Sequence, residues 1–384
     1  MVTALGCGGA ELQVVRLATE LRARGWEVAV VSLVKLEYCV HGNGLLDQLE
    51  PQRIAVHSLE MKPGVPALRA VFRLRSLIRS FRPDVVHCHM YHASILGRIT
   101  RLFCRMPVLI STVHSTREAS QQGGPTWHKE LLYRVTDALA DRTTIVCQAG
   151  LERYSRVGAV PALKLRLVPN GIDTEIFTRS EERRQRVREA LGISSEFVWL
   201  SAGRLVEAKD YPTLFRALEL MGPNRFVVLI VGTGRLEPEL RNECSRRGLD
   251  GQVRFCGHRE DMLNLYCAAD AFVMSSKLEG LPLVLLEAAS TGLPAVVTSV
   301  GGNPEIVVHD VSGYVVPPGD PAQLAAALRR LMEAGLECRK DMSQAARQHC
   351  YEHYRMEVVM DRWLDLYAEC LPTVLLNRAI SGSV

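Results

Sequence analysis

Short runs of β-branched and apolar residues recur along the chain, each followed by a stretch in which apolar positions return every three or four residues. Strand-like runs alternating with helical periodicity predict βαβ units and parallel sheets. In the first half the runs are EVAVVSL (27–33), RIAVHSL (53–59), DVVHCH (84–89), PVLISTVH (107–114) and TTIVC (143–147). In the second half they are FVWLSAG (197–203), RFVVLIVG (225–232), VRFCG (253–257), AFVMSS (271–276) and PAVVTS (294–299). Two similar sets predict an α/β protein of two doubly wound domains, with ligands bound at the carboxyl ends of the strands, in a cleft between the sheets. Pro169 and the turn pair Asn170-Gly171 break the pattern ahead of a charged helix. Domains are therefore expected over 1–170 and 191–354 with a linker at 171–190. MEVVMDRWLDLYAEC predicts a closing helix over 355–371, and 372–384 reads as a loose tail.

Composition agrees: 384 residues, 47% hydrophobic and 23% charged, suit a globular chain of two domains. No signal peptide is evident and no apolar run approaches the ~18 residues of a membrane span, so a cytoplasmic protein, soluble or peripheral, is expected. The eleven cysteines are scattered, form no C-x-x-C pair, and fall mostly in apolar runs such as DVVHCH and TTIVCQ, which predicts reduced core residues. Net charge is +4, yet residues 1–165 carry 21 Lys and Arg against 13 Asp and Glu. Part of that excess lies in LRAVFRLRSLIRSFRP. Leu68, Val71, Phe72, Leu74, Leu77, Ile78 and Phe81 should form an apolar face there, with Arg69, Arg73, Arg79 and Arg82 mostly off it. The helix reads either as a solvated surface or as a patch for an anionic membrane or a phosphate-bearing acceptor. Nucleic acid is not expected, because no aromatic and basic cluster accompanies the charge.

Several segments could carry chemistry. Gly8-Gly9 precedes a helix expected from Ala10 to about Arg24, whose free N–H groups and positive dipole end suit a phosphate. Close packing of strand on helix would use the same glycines. VLIVGTGRLEPEL offers Gly232 and Gly234 after a strand, but Glu237 replaces the third glycine of the dinucleotide fingerprint. The chain has neither a P-loop nor a D-x-D for a divalent ion, so no metal or other cofactor is expected. In SSKLEGLPLVLLEAASTGLP, Glu279 enters a helix that carries Glu287. Paired carboxylates accept hydrogen bonds from several hydroxyls, while the N–H groups of Leu281, Leu283 and Val284 face an anion, which suits a sugar joined to a diphosphate. His87, His89 and His92 in HCHMYH lack a carboxylate or cysteine to complete a metal site. His89 and His92 are acceptor-side candidates on the rim of the cleft.

GGAE near the start, VPNGID, GRLVEAKDY, EGLPLVLLEA and GGNPEIVVHDVSGYVVPPGD together resemble a retaining glycosyltransferase of family 4 with the GT-B fold. The match runs in order from Gly6 to about Cys370. It implies two Rossmann-like domains facing across a cleft, acceptor-binding first and nucleotide-sugar-binding second, with the last helix crossing back to the first domain. Glu279 and Glu287 match the family's E-x7-E, whose first glutamate contacts the donor sugar and whose second holds the ribose hydroxyls. Arg204 and Lys209 match the basic pair that grips the diphosphate, and Gly8-Gly9, through the Gly9 N–H, contacts the same phosphates. His114 matches the histidine beside the donor sugar. Gly257 and His258 lie where the nucleobase is met, and Gly280, Leu281, Pro282 and Leu283 complete the donor loop. Glu11 complements the dipole of the first helix on the acceptor side.

The implied reaction moves a sugar, by family default from a uridine diphosphate sugar, to a lipid-linked or saccharide hydroxyl in polysaccharide, lipopolysaccharide or glycolipid synthesis. Arg204, Lys209 and helix N–H groups stabilise the departing diphosphate, and Glu279 positions the sugar. A nucleotide-sugar epimerase, an NAD(P)-dependent oxidoreductase and a non-catalytic nucleotide-sugar binder are the alternatives. The family also has a full apolar strand before its first glycine turn. Here only Met1 to Leu5 precede it, so a short or truncated first strand is expected, with a gap in the sheet beside the phosphate loop.

Overall fold

The computed structural model describes residues 1–6, 8–39, 43–62, 68–117, 126–222 and 226–371; Cys7 and the expected tail lie outside them. Two compact units emerge: Met1–Asn170 together with the chain from Val359, and Gly171–Val358.

In the first unit, β1 (Ala29–Val34) pairs with β2 (Ala55–Met61). A four-stranded sheet runs β3 (Val85–His89), β4 (Val108–Val113), β5 (Arg142–Ile145) and β6 (Leu165–Leu167). Every pairing is parallel. The first residues join the two sheets: Val2 N donates to Val31 O at 2.9 Å, while His89 N donates to Met1 O at 2.8 Å. The Met1 ammonium donates to His87 O at 2.6 Å, and burial lowers its pKa. Beside it, a cavity of about 590 Å³ separates Val28–Val31 from Val85–His87, with Leu17, Leu21 and Ile78 in its wall. Val14, Val15 and Ala18 of the helix Gly9–Ala23 pack on Val30 and Leu49, while Leu74 and Ile78 of the helix Leu68–Phe81 pack on Leu33, Leu59 and Val86.

The apolar face of that second helix is narrower than its periodicity predicts. Val71, Leu74 and Ile78 are buried, but Leu68 is 83% and Phe72 63% exposed. Five of the nine cysteines with described side chains are buried, all nine are free, and Cys338 is exposed.

The second unit holds one six-stranded sheet. Its strands in chain order are β7 (Phe197–Ala202), β8 (Phe226–Val231), β9 (Val253–Phe255), β10 (Ala271–Met274), β11 (Ala295–Thr298) and β12 (Gly313–Val316). In space they run β12-β11-β10-β7-β8-β9, all parallel. Every residue of β8 and β10 is buried, as expected of parallel strands covered by helices on both faces. From β7 the chain builds outward through β8 and β9, then returns to lay β10 against the other edge of β7. The crevice between the ends of β7 and β10 is thus a topological switch point, where open α/β sheets bind ligands.

The expected linker is instead part of this unit. Glu181–Ala190 is a helix capped by Ser180, whose side chain accepts from Arg183 N. Arg184 and Arg188 reach Asp270 at 2.5 Å and 3.2 Å, and Asp270 also accepts from Val198 N at the start of β7. The charge of this helix therefore clamps it to a sheet. At the other end, the helix Met356–Cys370 finishes in the first unit, where Trp363 and Tyr367 pack on His87.

Candidate functional site

The switch point gathers the loops of the second unit that carry candidate residues. After β7 the chain passes Gly203 and Arg204 into a short 3-10 turn, Glu207–Lys209, stopped by Asp210 at φ 48°. After β10 it passes Ser275 to Gly280 and enters the helix Leu283–Ser290 behind Pro282, whose fixed φ suits a helix start. The loops are stitched together: Lys277 N donates to Ala208 O at 2.8 Å, and Ser275 Oγ donates to the carbonyls of Lys209 and Asp210, both at 3.0 Å.

That stitching brings Lys209 Nζ to 2.6 Å from Glu279 Oε1, with side chains only 17% and 10% exposed. Ser276 Oγ donates to the same carboxylate oxygen at 2.5 Å. Two glycines make the arrangement possible. A Cβ on Gly203, at φ 152°, would stand 2.8 Å from Lys209 Cε, so the lysine stem lies where any other residue would place its side chain. Gly301, at φ 55°, would put a Cβ 2.5 Å from Glu279 O, so the Gly301-Gly302 turn can press on the loop that aims Glu279. Gly302 N donates to Gly280 O at 2.6 Å and fixes that contact.

Glu287, just over one turn inside the helix Leu283–Ser290, is 6% exposed and accepts from Tyr266 OH at 3.0 Å. Leu283 and Val284 open the helix, where backbone N–H groups have no partner one turn back. Leu281, expected to contribute a third such group, precedes the cap and already has an interaction partner. Arg204 is exposed, and its guanidinium finds no partner among the described residues. A lysine, an arginine and the start of a helix thus present positive charge around two carboxylates, a set that can take an anion together with hydroxyl groups.

Gly257 and His258 follow β9. Gly257 O accepts from Gly232 N at 2.7 Å, and Leu205 N donates to Thr233 O at 2.9 Å. The Gly232–Gly234 turn therefore packs against its neighbouring loops, which accounts for both glycines without a dinucleotide. His258 is exposed.

In the first unit, Gly8 caps the helix Gly9–Ala23, and the Glu11 carboxylate folds back over Gly8 where a Cβ would stand. Gly9 is exposed at the first position of that helix. His114 follows β4 and His89 ends β3, with Nδ1 of His89 3.1 Å from Nε2 of His114. His89 is 4% exposed, an interior residue where a rim residue was expected; His92 is exposed on the helix Tyr91–Arg101. Burial holds all of these imidazoles below the ordinary histidine range, His114 at about 4. His87 uses both ring nitrogens, on Tyr367 OH at 2.8 Å and Thr112 Oγ1 at 2.6 Å. Among the described residues no group of three or more His, Cys, Asp or Glu could hold a metal ion.

Sequence reasoning did not find Tyr266, Gly203 or Tyr367. Nothing in a sequence marks which buried tyrosine meets a carboxylate in a helix that starts 17 positions later, at Leu283. Ser276 was visible beside Glu279, but its hydroxyl becomes meaningful only once the turn is built.

Comparison with known proteins identifies the family and the fold. Residues 7–176 match the family described as Glycosyltransferase Family 4, and residues 183–349 match Glycosyl transferases group 1. The D-inositol 3-phosphate glycosyltransferase of Saccharomonospora viridis is 30% identical over 310 residues, covering 75% of this chain and 70% of that protein. The Escherichia coli UDP-Gal:alpha-D-GlcNAc-diphosphoundecaprenol alpha-1,3-galactosyltransferase is 27% identical over 317 residues, 79% of each chain. Among solved structures, Anabaena HepE in complex with UDP superposes with a TM-score of 0.82 at 22% identity, over 96% of this chain and 98% of that one. The fold of two Rossmann-like parallel sheets is therefore that of GT-B proteins.

Proposed function

The chain belongs to the family 4 glycosyltransferases and carries their group 1 domain in its second half; on that premise we propose that it transfers a sugar, with retention of anomeric configuration, from a uridine diphosphate sugar to an acceptor hydroxyl. The observation that carries this reading is the Lys209–Glu279 ion pair at the switch point of the second sheet. Support for the uridine nucleotide comes from the HepE complexes with UDP and UDP-glucose, and from the E. coli relative, which is named for UDP-Gal.

Breaking the sugar–phosphate bond builds negative charge on the leaving diphosphate and positive charge on the anomeric carbon. Lys209, Arg204 and the N–H groups that open the helix Leu283–Ser290 stabilise the first charge from fixed positions, so little reorganisation is needed as the charge develops. Glu279 accepts hydrogen bonds from sugar hydroxyls, and Glu287, held by Tyr266, takes the ribose hydroxyls. His114 is read as a contact of the donor sugar. The acceptor oxygen bonds to the anomeric carbon from the face that the phosphate oxygen leaves, and that phosphate oxygen takes the hydroxyl proton. In this reading neutralisation falls to side chains and backbone, with no divalent ion assigned a step.

A lipid-linked or saccharide acceptor, met at an anionic membrane face, fits exposed Leu68 and Phe72 beside the arginines of the helix Leu68–Phe81. Among the described residues no helix is long and apolar enough to cross a membrane. Incubation with UDP-, GDP- and ADP-sugars tests the reading: a uridine nucleotide should raise the melting temperature most, and product NMR should show the donor's anomeric configuration. Donor conversion without any acceptor would favour an epimerase instead.

A further inference from the structure

Away from the ion pair, His87, His89 and His114 form a row of interacting imidazoles on β3 and after β4. His87 is locked by two hydrogen bonds, one to Tyr367 OH and one to Thr112 Oγ1, and Thr112 Oγ1 lies 2.6 Å from Thr144 Oγ1. The His87 ring lies against His89 with centroids 4.0 Å apart, and so sets the plane of the second imidazole. His89 in turn places Nδ1 3.1 Å from His114 Nε2. Nδ1 of His114 is buried and has no hydrogen-bond partner among the described residues. A buried nitrogen left unpaired costs free energy unless a ligand meets it.

With both rings neutral, a single proton occupies the contact between His89 and His114, and the hydrogen bond at one nitrogen decides the state of the other. We propose that His89 is a positioning residue for His114: through the Nδ1···Nε2 hydrogen bond it fixes the ring orientation and tautomer of His114 and leaves Nδ1 to meet a hydroxyl of the donor sugar. The sugar contact rests on the glycosyltransferase reading above; the fixed tautomer does not.

The test uses the full chain labelled with ring-¹⁵N histidine, with the His114 signals identified by their loss in His114→Gln. Wild type should show one protonated and one bare ring nitrogen for His114. His89→Asn, whose amide nitrogen and oxygen can stand in for Nδ1, should keep that pattern, and His89→Leu should collapse it toward averaged shifts. An averaged His114 in wild type, or an unchanged single tautomer in His89→Leu, would overturn the positioning role. Binding separates the second half of the claim. In His89→Leu the affinity for UDP should hold, while the affinity for UDP-glucose relative to UDP falls about fivefold and recovers in His89→Asn. An unchanged ratio would overturn the sugar contact. If wild type bound neither UDP nor UDP-glucose, the donor reading would fail while the ring shifts still judged His89.

Discussion

Lys209 and Glu279 meet at 2.6 Å although 70 positions separate them, because each closes a loop after one of two adjacent parallel strands, β7 and β10. Either charge alone would stand partly buried with little compensation; as a pair they form a neutral unit that a diphosphate sugar can open. Lys209→Ala and Glu279→Ala should each lower kcat by about 100-fold or more while the circular dichroism spectrum persists. Near-normal turnover in either variant would remove the pair from the mechanism.

Gly301 supports Glu279 from behind. Alanine there would combine a left-handed backbone with a Cβ 2.5 Å from Glu279 O. Gly301→Ala should cost about 1–3 kcal/mol in denaturant unfolding and weaken donor binding along with it. Ala tolerated without either effect would show that the turn does not set the Glu279 loop.

Tyr266 is wholly buried, and its hydroxyl reaches both Glu287 Oε2 and the Val284 carbonyl. Tyr266→Phe keeps the ring and removes the bonds, so stability should drop by about 1 kcal/mol. Titration with UDP should show a weaker affinity, since Glu287 loses the donor that aims it.

Asp270 ties the helix Glu181–Ala190 to the sheet through two arginines and Val198 N. Removing one member of such a cluster strands the others, so Asp270→Ala should destabilise the second unit by about 3 kcal/mol. Catalysis at temperatures where that variant stays folded should change little. A flexible linker at this position would predict no loss of stability.

Burial holds His87, His89 and His114 below the ordinary range, with the neighbouring N-terminal charge adding to the effect on His87. In the unfolded chain each titrates near pH 6.5 (about the free value), so above that pH both states are neutral and these groups impose no slope. As pH falls further, the unfolded chain takes up protons that the fold refuses, and stability drops by up to about 1.4 kcal/mol per pH unit for each ring. For His114 the loss continues to about pH 4, where the folded ring titrates too. These rings should therefore steepen the fall in melting temperature below about pH 6.5, and the fall should be shallower in His114→Gln.

The parallel strands were readable because their apolar runs are continuous: VLISTV and FVVLIV are buried at every position. Ten runs predict ten of the twelve strands found among the described residues, to within a residue or two at most ends. The two not foreseen, β6 (Leu165–Leu167) and β12 (Gly313–Val316), are short, and one carries Arg166 and the other opens on glycine. Edge strands need less apolar surface than central ones, and both of these lie at sheet edges. The charged helix Glu181–Ala190 was expected, but its anchoring was not legible. Its arginines show their role only once Asp270 and the carbonyls of residues 268–269, which lie about eighty positions away, are placed against them. Within the candidate site, Arg204, Lys209, Glu279 and Glu287 could be named from motif and spacing, whereas the partners that orient them depend on contacts between distant loops.

The central claim is that Lys209 and Glu279 hold a nucleoside diphosphate sugar at the switch point of the second sheet. The most direct measurement is thermal stabilisation of wild type and Lys209→Ala by UDP and by UDP-sugars, with the unliganded melting temperatures compared first. The account predicts a lower melting temperature for unliganded Lys209→Ala, whose Glu279 is left unpaired, a clear rise for wild type with nucleotide, and little or none for Lys209→Ala. A wild type that no nucleoside diphosphate or its sugar stabilises, or a Lys209→Ala protein that responds as fully as wild type, would contradict it.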